Sequence, residues 1–82
     1  KKDMKYHDKY LLSKNNQHLL YLMRWDEKSL SYICDICNNF TGKITTKGNP
    51  GHKIKYVEEC IADETWTIFD NFNDMKEWKN SN

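Results

Sequence analysis

The chain has 82 residues, enough for one domain, with 30% charged residues and a net charge of +1. A domain of this size buries only about 60% of the surface its unfolded chain exposes, which leaves one thin core and little depth for an active-site cleft. The charge balance excludes a protein that holds nucleic acid mainly by electrostatics. No apolar run approaches the ~20 residues of a membrane span.

The chain begins at Lys1 without Met, shows no signal-peptide pattern, and reads as a piece of a longer protein. Three Cys, an odd number, argue against a disulfide scaffold and for a reducing compartment.

In chain order, Lys9 to Ser13 is a short strand, and residues 14–17 carry turn chemistry. His18 to Trp25 is the strongest apolar run. It is short, bears aromatics and has a turn on each side, so a strand is expected. After the Asp26–Ser29 turn, residues 30–37 alternate. Leu30, Tyr32, Cys34 and Ile36 share one face, and Ser31, Ile33, Asp35 and Cys37 the other. Three strands and two tight turns make a meander.

Residues 38–51 hold all three Gly and the only Pro and read as a loop, with a short β-excursion at Lys43 to Thr46. Asn49 and Pro50 suit the start of a helix running from His52 to about Ala62. On that helix Ile54, Val57 and Ile61 stack on one face, and Tyr56 and Cys60 form a second apolar stripe. Two stripes need two partners: the sheet, and either the tail or another chain. Thr65 to Phe69 is apolar and β-prone. Asp70 to Trp78 reads as a last helix, capped by Asp70 or Asn71, with Phe72, Met75 and Trp78 on one face.

The sharpest chemical motif is C-x-x-C at Cys34 and Cys37. Zinc would need two more ligands, for which His52 and Cys60 are the candidates. On a strand, however, Cys34 and Cys37 point to opposite faces, and a buried free Cys is the ordinary alternative. His7, His18 and His52 are scattered, and no G-x-S-x-G elbow accompanies the serines. The acidic pairs Glu58-Glu59 and Asp63-Glu64 are sequence neighbours, which do not face each other on a helix. The reading is non-catalytic, without a cofactor.

Asp8 to Trp25 (DKYLLSKNNQHLLYLMRW) resembles the opening of chromo-type domains, with a polar turn and then an aromatic-centred strand ending in a basic residue and Trp. Leu20 to Trp25 is similar to the central strand of chromoshadow domains of the heterochromatin protein one family. Ile54 to Ile61 (IKYVEECI) resembles the C-terminal helix of that family. The blocks follow in the family's order and cover roughly two-thirds of the chain.

The resemblance implies an α+β fold, a three-stranded antiparallel sheet packed against a C-terminal helix or helices. It makes residues 1–82 a single domain with its core at about 6–66 and a C-terminal extension at 67–82. It implies a nuclear, chromatin-associated homodimerisation module that recruits short hydrophobic peptides of the P-x-V-x-L kind. Ile54, Val57, Glu58 and Ile61 would then form the dimer interface, with Trp66 and Ile68 contacting peptide. Asp63 stands where the family has its peptide-gripping Trp, and the loop before the helix and the tail are longer than usual. The alternative within the same superfamily is a chromodomain reading methylated histone lysine, with Tyr6 and Trp25 as cage walls.

Overall fold

A computed structural model describes residues 5–15, 18–47 and 51–81. The fold is α+β. β1 (Tyr10–Ser13), β2 (Leu20–Asp26) and β3 (Ser31–Cys37) form the expected antiparallel meander. The two-sided alternation of these strands sets the register, Met23 opposite Cys34 and Trp25 opposite Tyr32.

The sheet has six strands rather than three. β4 (Ile44–Thr46) and β5 (Gly51–His52) both pair with β3, and β6 (Trp66–Phe69) pairs antiparallel with β1. The reason for β6 lies in the backbone of β1. Ser13 donates its N–H to the Leu19 carbonyl at 3.1 Å, so the odd-numbered residues of β1 bond to β2. The even-numbered ones face the other way and need a partner. β6 supplies it: Lys14 donates its N–H to the Thr65 carbonyl at 2.9 Å.

α1 spans Ile54–Ala62, two residues shorter at its start than the sequence reading, because Gly51 and His52 are drawn into β5. Gly51 fits there because a Cβ would lie 2.5 Å from Ser31 Oγ. Asn49 and Pro50, the expected helix start, lie outside the described residues. Lys53 occupies the cap position in extended conformation without a side-chain cap bond. α2 spans Phe72–Ser81 and is capped by Asn71, whose Oδ1 accepts the Asp74 N–H at 2.8 Å.

The two helices cover opposite faces of the sheet. Leu11, Met23, Tyr32 and Cys34 form one core layer with Val57 of α1. Leu12, Leu20 and Cys37 form the other with Met75 of α2. A two-sided sheet explains why β3 is buried along both of its faces, including Asp35. The stretch 67–81 is therefore no appendage, since it completes β6 and supplies fully buried Met75. Leu30 is also misplaced by simple alternation. It lies before β3 at φ 51°, a left-handed turn position, and is 56% exposed.

The sheet is strongly curled. His52 of β5 and Trp66 of β6 sit at opposite ends of the strand order, where a flat sheet would separate them by about 19 Å. Their ring centres are 5.7 Å apart.

Candidate functional site

A concavity runs along β6. It has a volume of about 530 Å³, within the range of ligand clefts. Trp66, Thr67 and Ile68 form its floor, Ile61 and Glu64 border it from the end of α1, and Trp78 borders it from α2. Lys14 closes one end, with its Nζ 3.6 Å from Glu64 Oε1.

The local chain geometry accounts for this shape. α1 ends at a tight turn in which Asp63 donates its N–H to the Glu59 carbonyl and Glu64 takes φ 66°. Asp63 Oδ1 then accepts both the N–H and the hydroxyl of Thr65, and these bonds hold the Asp63 carboxyl below its ordinary pKa. The turn delivers the chain directly into β6. Trp66 and Ile68 point to the α1 face, while Thr67 and Phe69 point to the α2 face, where Phe69 meets Trp78 at 5.6 Å.

One wall continues into an aromatic cluster. His52 stacks on Tyr56 at 4.8 Å, and Trp66 meets both edge-on, at 5.7 and 5.9 Å. Tyr21 approaches Trp66 from the sheet at 5.8 Å. Burial lowers the His52 pKa, favouring the neutral ring, and burial raises the Tyr21 phenol. Tyr56 is 46% exposed, and its phenol is raised by a hydrogen bond with Cys60. The His52 and Tyr56 rings thus pack around Trp66, a contact that spacing alone did not reveal.

A second aromatic group lies around Tyr32 of β3. The segment before β1 laps over β2. Asp8 donates its N–H to the Met23 carbonyl at 2.8 Å, and Trp25 donates its N–H to His7 Nδ1 at 3.0 Å. This brings Tyr6 and Trp25 to either side of buried Tyr32, at 5.7 and 5.0 Å. Tyr32 Oη accepts the Tyr6 N–H at 2.9 Å. The Trp25 indole N–H donates to Glu27 Oε1 at 2.9 Å, which lowers the Glu27 pKa.

The expected dimer stripe faces inward. Val57 is 0% exposed within its own domain, and Ile54 and Ile61 pack against the same core. Periodicity found the correct face of α1, but that face meets the sheet of the same chain. Glu58 is exposed. The four metal candidates are not assembled either. Cys34 lies in the α1 layer and Cys37 in the α2 layer, while His52 stacks on Tyr56. Among the described residues no group of three or more His, Cys, Asp and Glu is placed to hold a metal. Burial, then the Asp35 charge, pushes the Cys34 thiol up to about 12, away from the thiolate a metal would need.

Trp66 and Ile68 were singled out in the sequence. Lys14 and Glu64 were not singled out for this cleft. The polar pair carries no signal until β1 and β6 are known to be neighbours. Comparison of the chain with protein-family models, curated proteins and solved structures finds no match.

Proposed function

We propose that this chain is a non-catalytic, chromo-like protein-interaction domain that recruits short hydrophobic peptides in the cleft beside β6. The observation that carries this reading is the position of Trp66 and Ile68. The two residues that resemblance marks for peptide contact lie together in the lining of the cleft beside β6. Large aromatics at the centre of a concave surface are the usual anchors of peptide binding. The β1–β2–β3 meander followed by α1 supports the chromo-like assignment, and a chromatin setting follows from that assignment alone. A homodimer, which the same resemblance implies, would have to use the outward side of α1 around Tyr56 and Glu58.

The test is a fluorescence-anisotropy titration with a labelled peptide containing Pro-Thr-Val-Ser-Leu. Saturable binding that Trp66→Ala weakens at least about tenfold, the scale of a 1.4 kcal/mol anchor, is the expected result. Binding unaffected by Trp66→Ala would remove the cleft from the reading.

A second reading, recognition of methylated lysine, is favoured by the convergence of Tyr6 and Trp25 on Tyr32 beside the Glu27 carboxylate. An aromatic face next to a carboxylate suits a quaternary or tertiary ammonium. Tighter binding of trimethylated than unmethylated histone-tail peptide, lost in Trp25→Ala, would support it.

A further inference from the structure

We propose that His7 is a pH-operated latch: its neutral ring holds the turn before β1 against β2 and Tyr32, and uptake of a proton at Nδ1 releases that turn.

The backbone of β2 creates the need for the latch. Its odd-numbered residues bond toward β1. Tyr21 stands opposite Leu11, and Met23 donates its N–H to the Lys9 carbonyl at 2.9 Å while accepting the Asp8 N–H at 2.8 Å. Trp25 is next in that set, but the chain does not continue beside it as a strand. Asp8 takes φ 64°, and Lys9 donates its N–H to the Tyr6 carbonyl at 3.1 Å, so the backbone turns back. The Trp25 N–H is met by a side chain instead, His7 Nδ1 at 3.0 Å. An imidazole nitrogen stands where a strand carbonyl would.

That replacement carries a condition that a carbonyl does not. Nδ1 accepts a hydrogen bond through its one lone pair, so the ring is neutral, with its proton on Nε2. Nε2 lies 3.5 Å from Asp8 Oδ2. A solvent proton bound at Nδ1 occupies the lone pair and sets donor against donor at Trp25. The Trp25 bond is then lost, whereas the contact with Asp8 becomes an ion pair. The His7 side chain is 32% exposed, which gives the proton access.

The charged groups of the neighbouring elements are engaged with other partners. On β2, Arg24 bonds Asp35 on the opposite face, and Glu27 accepts the Trp25 indole N–H. Between β2 and β3, Asp26 accepts the Ser29 hydroxyl, and Lys53 reaches from the start of α1 to the Ser29 carbonyl. Lys5 lies over the Tyr6 ring at 5.2 Å. Among the described residues, Asp8 is the charge within ion-pair distance of His7.

The latch controls Tyr6, its neighbour in the chain. The Tyr6 N–H donates to Tyr32 Oη at 2.9 Å, and its ring meets Tyr32 edge-on at 5.7 Å. Release of His7 frees the turn, and Tyr6 leaves Tyr32. The closed turn binds no proton at Nδ1 and the open turn binds one, so falling pH drives opening.

NMR of the whole chain from pH 8 to pH 5, a span that covers imidazole titration, tests the latch. At pH 8 the ring nitrogen shifts of His7 should show an unprotonated Nδ1, with nuclear Overhauser contacts between the Tyr6 and Tyr32 rings. At pH 5 those contacts should be gone, and protection of the Trp25 amide relative to unstructured exchange should fall at least about tenfold, while the Tyr21 amide keeps its protection. His7→Asn places a non-titrating oxygen where Nδ1 stood and should stay closed at pH 5. His7→Ala should be open already at pH 8. Asp8→Asn should open at lower pH, and His52→Gln at the same pH as the natural chain. A natural chain closed at pH 5, or a His7→Asn chain that opens with it, would overturn the latch. Loss of Tyr21 protection in parallel with Trp25 would make the change global unfolding and overturn it too, as would an opening that disappears in His52→Gln.

Discussion

Arg24 Nε donates to Asp35 Oδ2 at 2.9 Å across β2 and β3, and the carboxylate it holds is 0% exposed on the α2 face of the sheet. The Arg24 side chain is 44% exposed, so only one partner of the pair is fully buried. Removing Arg24 takes a charged partner from a buried carboxylate. Arg24→Ala is expected to cost about 2 kcal/mol, below the figure for a fully buried pair because one partner is half exposed. Replacing both residues by apolar ones of similar size, Arg24→Met with Asp35→Leu, should recover most of that loss. Urea unfolding of the two variants checks the prediction, and a double variant no more stable than Arg24→Ala would contradict it.

The inward stripe of α1 makes a prediction that separates core from interface. Val57→Ala should lower stability by about 2 kcal/mol through the lost methyl groups and the space they leave. Met75→Ala on the opposite face should cost about 3 kcal/mol. A domain of this size has a total stability of about 4–12 kcal/mol, so Val57→Glu, which puts a charge into a sealed site, should unfold it. Circular dichroism would show loss of structure. A folded Val57→Glu protein with a lower sedimentation mass would instead restore the stripe to a dimer interface.

His52 confers a pH dependence of definite sign. Burial against Tyr56 and Trp66 depresses its pKa below the ordinary 6.5. The unfolded chain therefore takes up this proton first as pH falls. The contribution of neutral His52 is complete above about 6.5 and is lost as pH drops through the depressed folded value. The lowered carboxyls of Asp26, Glu27 and Asp63 act in a separate, more acid range. Urea midpoints at pH 7.5 and 5.5 should differ for the natural chain, and the difference should shrink in His52→Gln. An equal or larger difference in the variant would contradict this role for His52.

Thiol chemistry should be slow in the native protein. Cys34, Cys37 and Cys60 are all buried, and burial raises the thiols of Cys34 and Cys37. A thiol-specific disulfide reagent at pH 8 should label the folded domain far more slowly than the urea-unfolded chain. Mild oxidation should not join Cys34 to Cys37, which project into opposite core layers. Mass spectrometry reads both outcomes.

Much of the meander was legible in local sequence. The Asp26–Ser29 turn and the alternation around Tyr32 and Cys34 fix β2 and β3, and the same period places the two Cys apart. Leu30 shows the limit: its left-handed φ is set by turn closure, and nothing about a leucine announces it. α1 shows another, because a 3.6-residue period identifies an apolar face without naming what the face meets. β6 was visible as a β-prone run but read as the start of a tail. Its pairing of Phe69 with Tyr10 depends on which edge of β1 is vacant, and no window around Thr65 contains that information. The candidate cleft inherits this. Trp66 and Ile68 could be singled out, and Trp78 as a large aromatic of the tail, whereas Lys14 and Glu64 join them only after the sheet has closed.

The union of the first and last strands also governs how the domain is made. β1 is complete by Ser13, yet its outer edge is satisfied only by Trp66 to Phe69. Almost the whole chain must be looped before those bonds form, which places this step among the slow, non-local events of folding. On a ribosome the meander and α1 emerge first, with the β1 edge bare and the α2 face of the sheet uncovered. During that interval the nascent chain is open to the same strand pairing that the finished domain confines to β6, so premature termination before α2 should yield aggregation rather than a smaller folded unit.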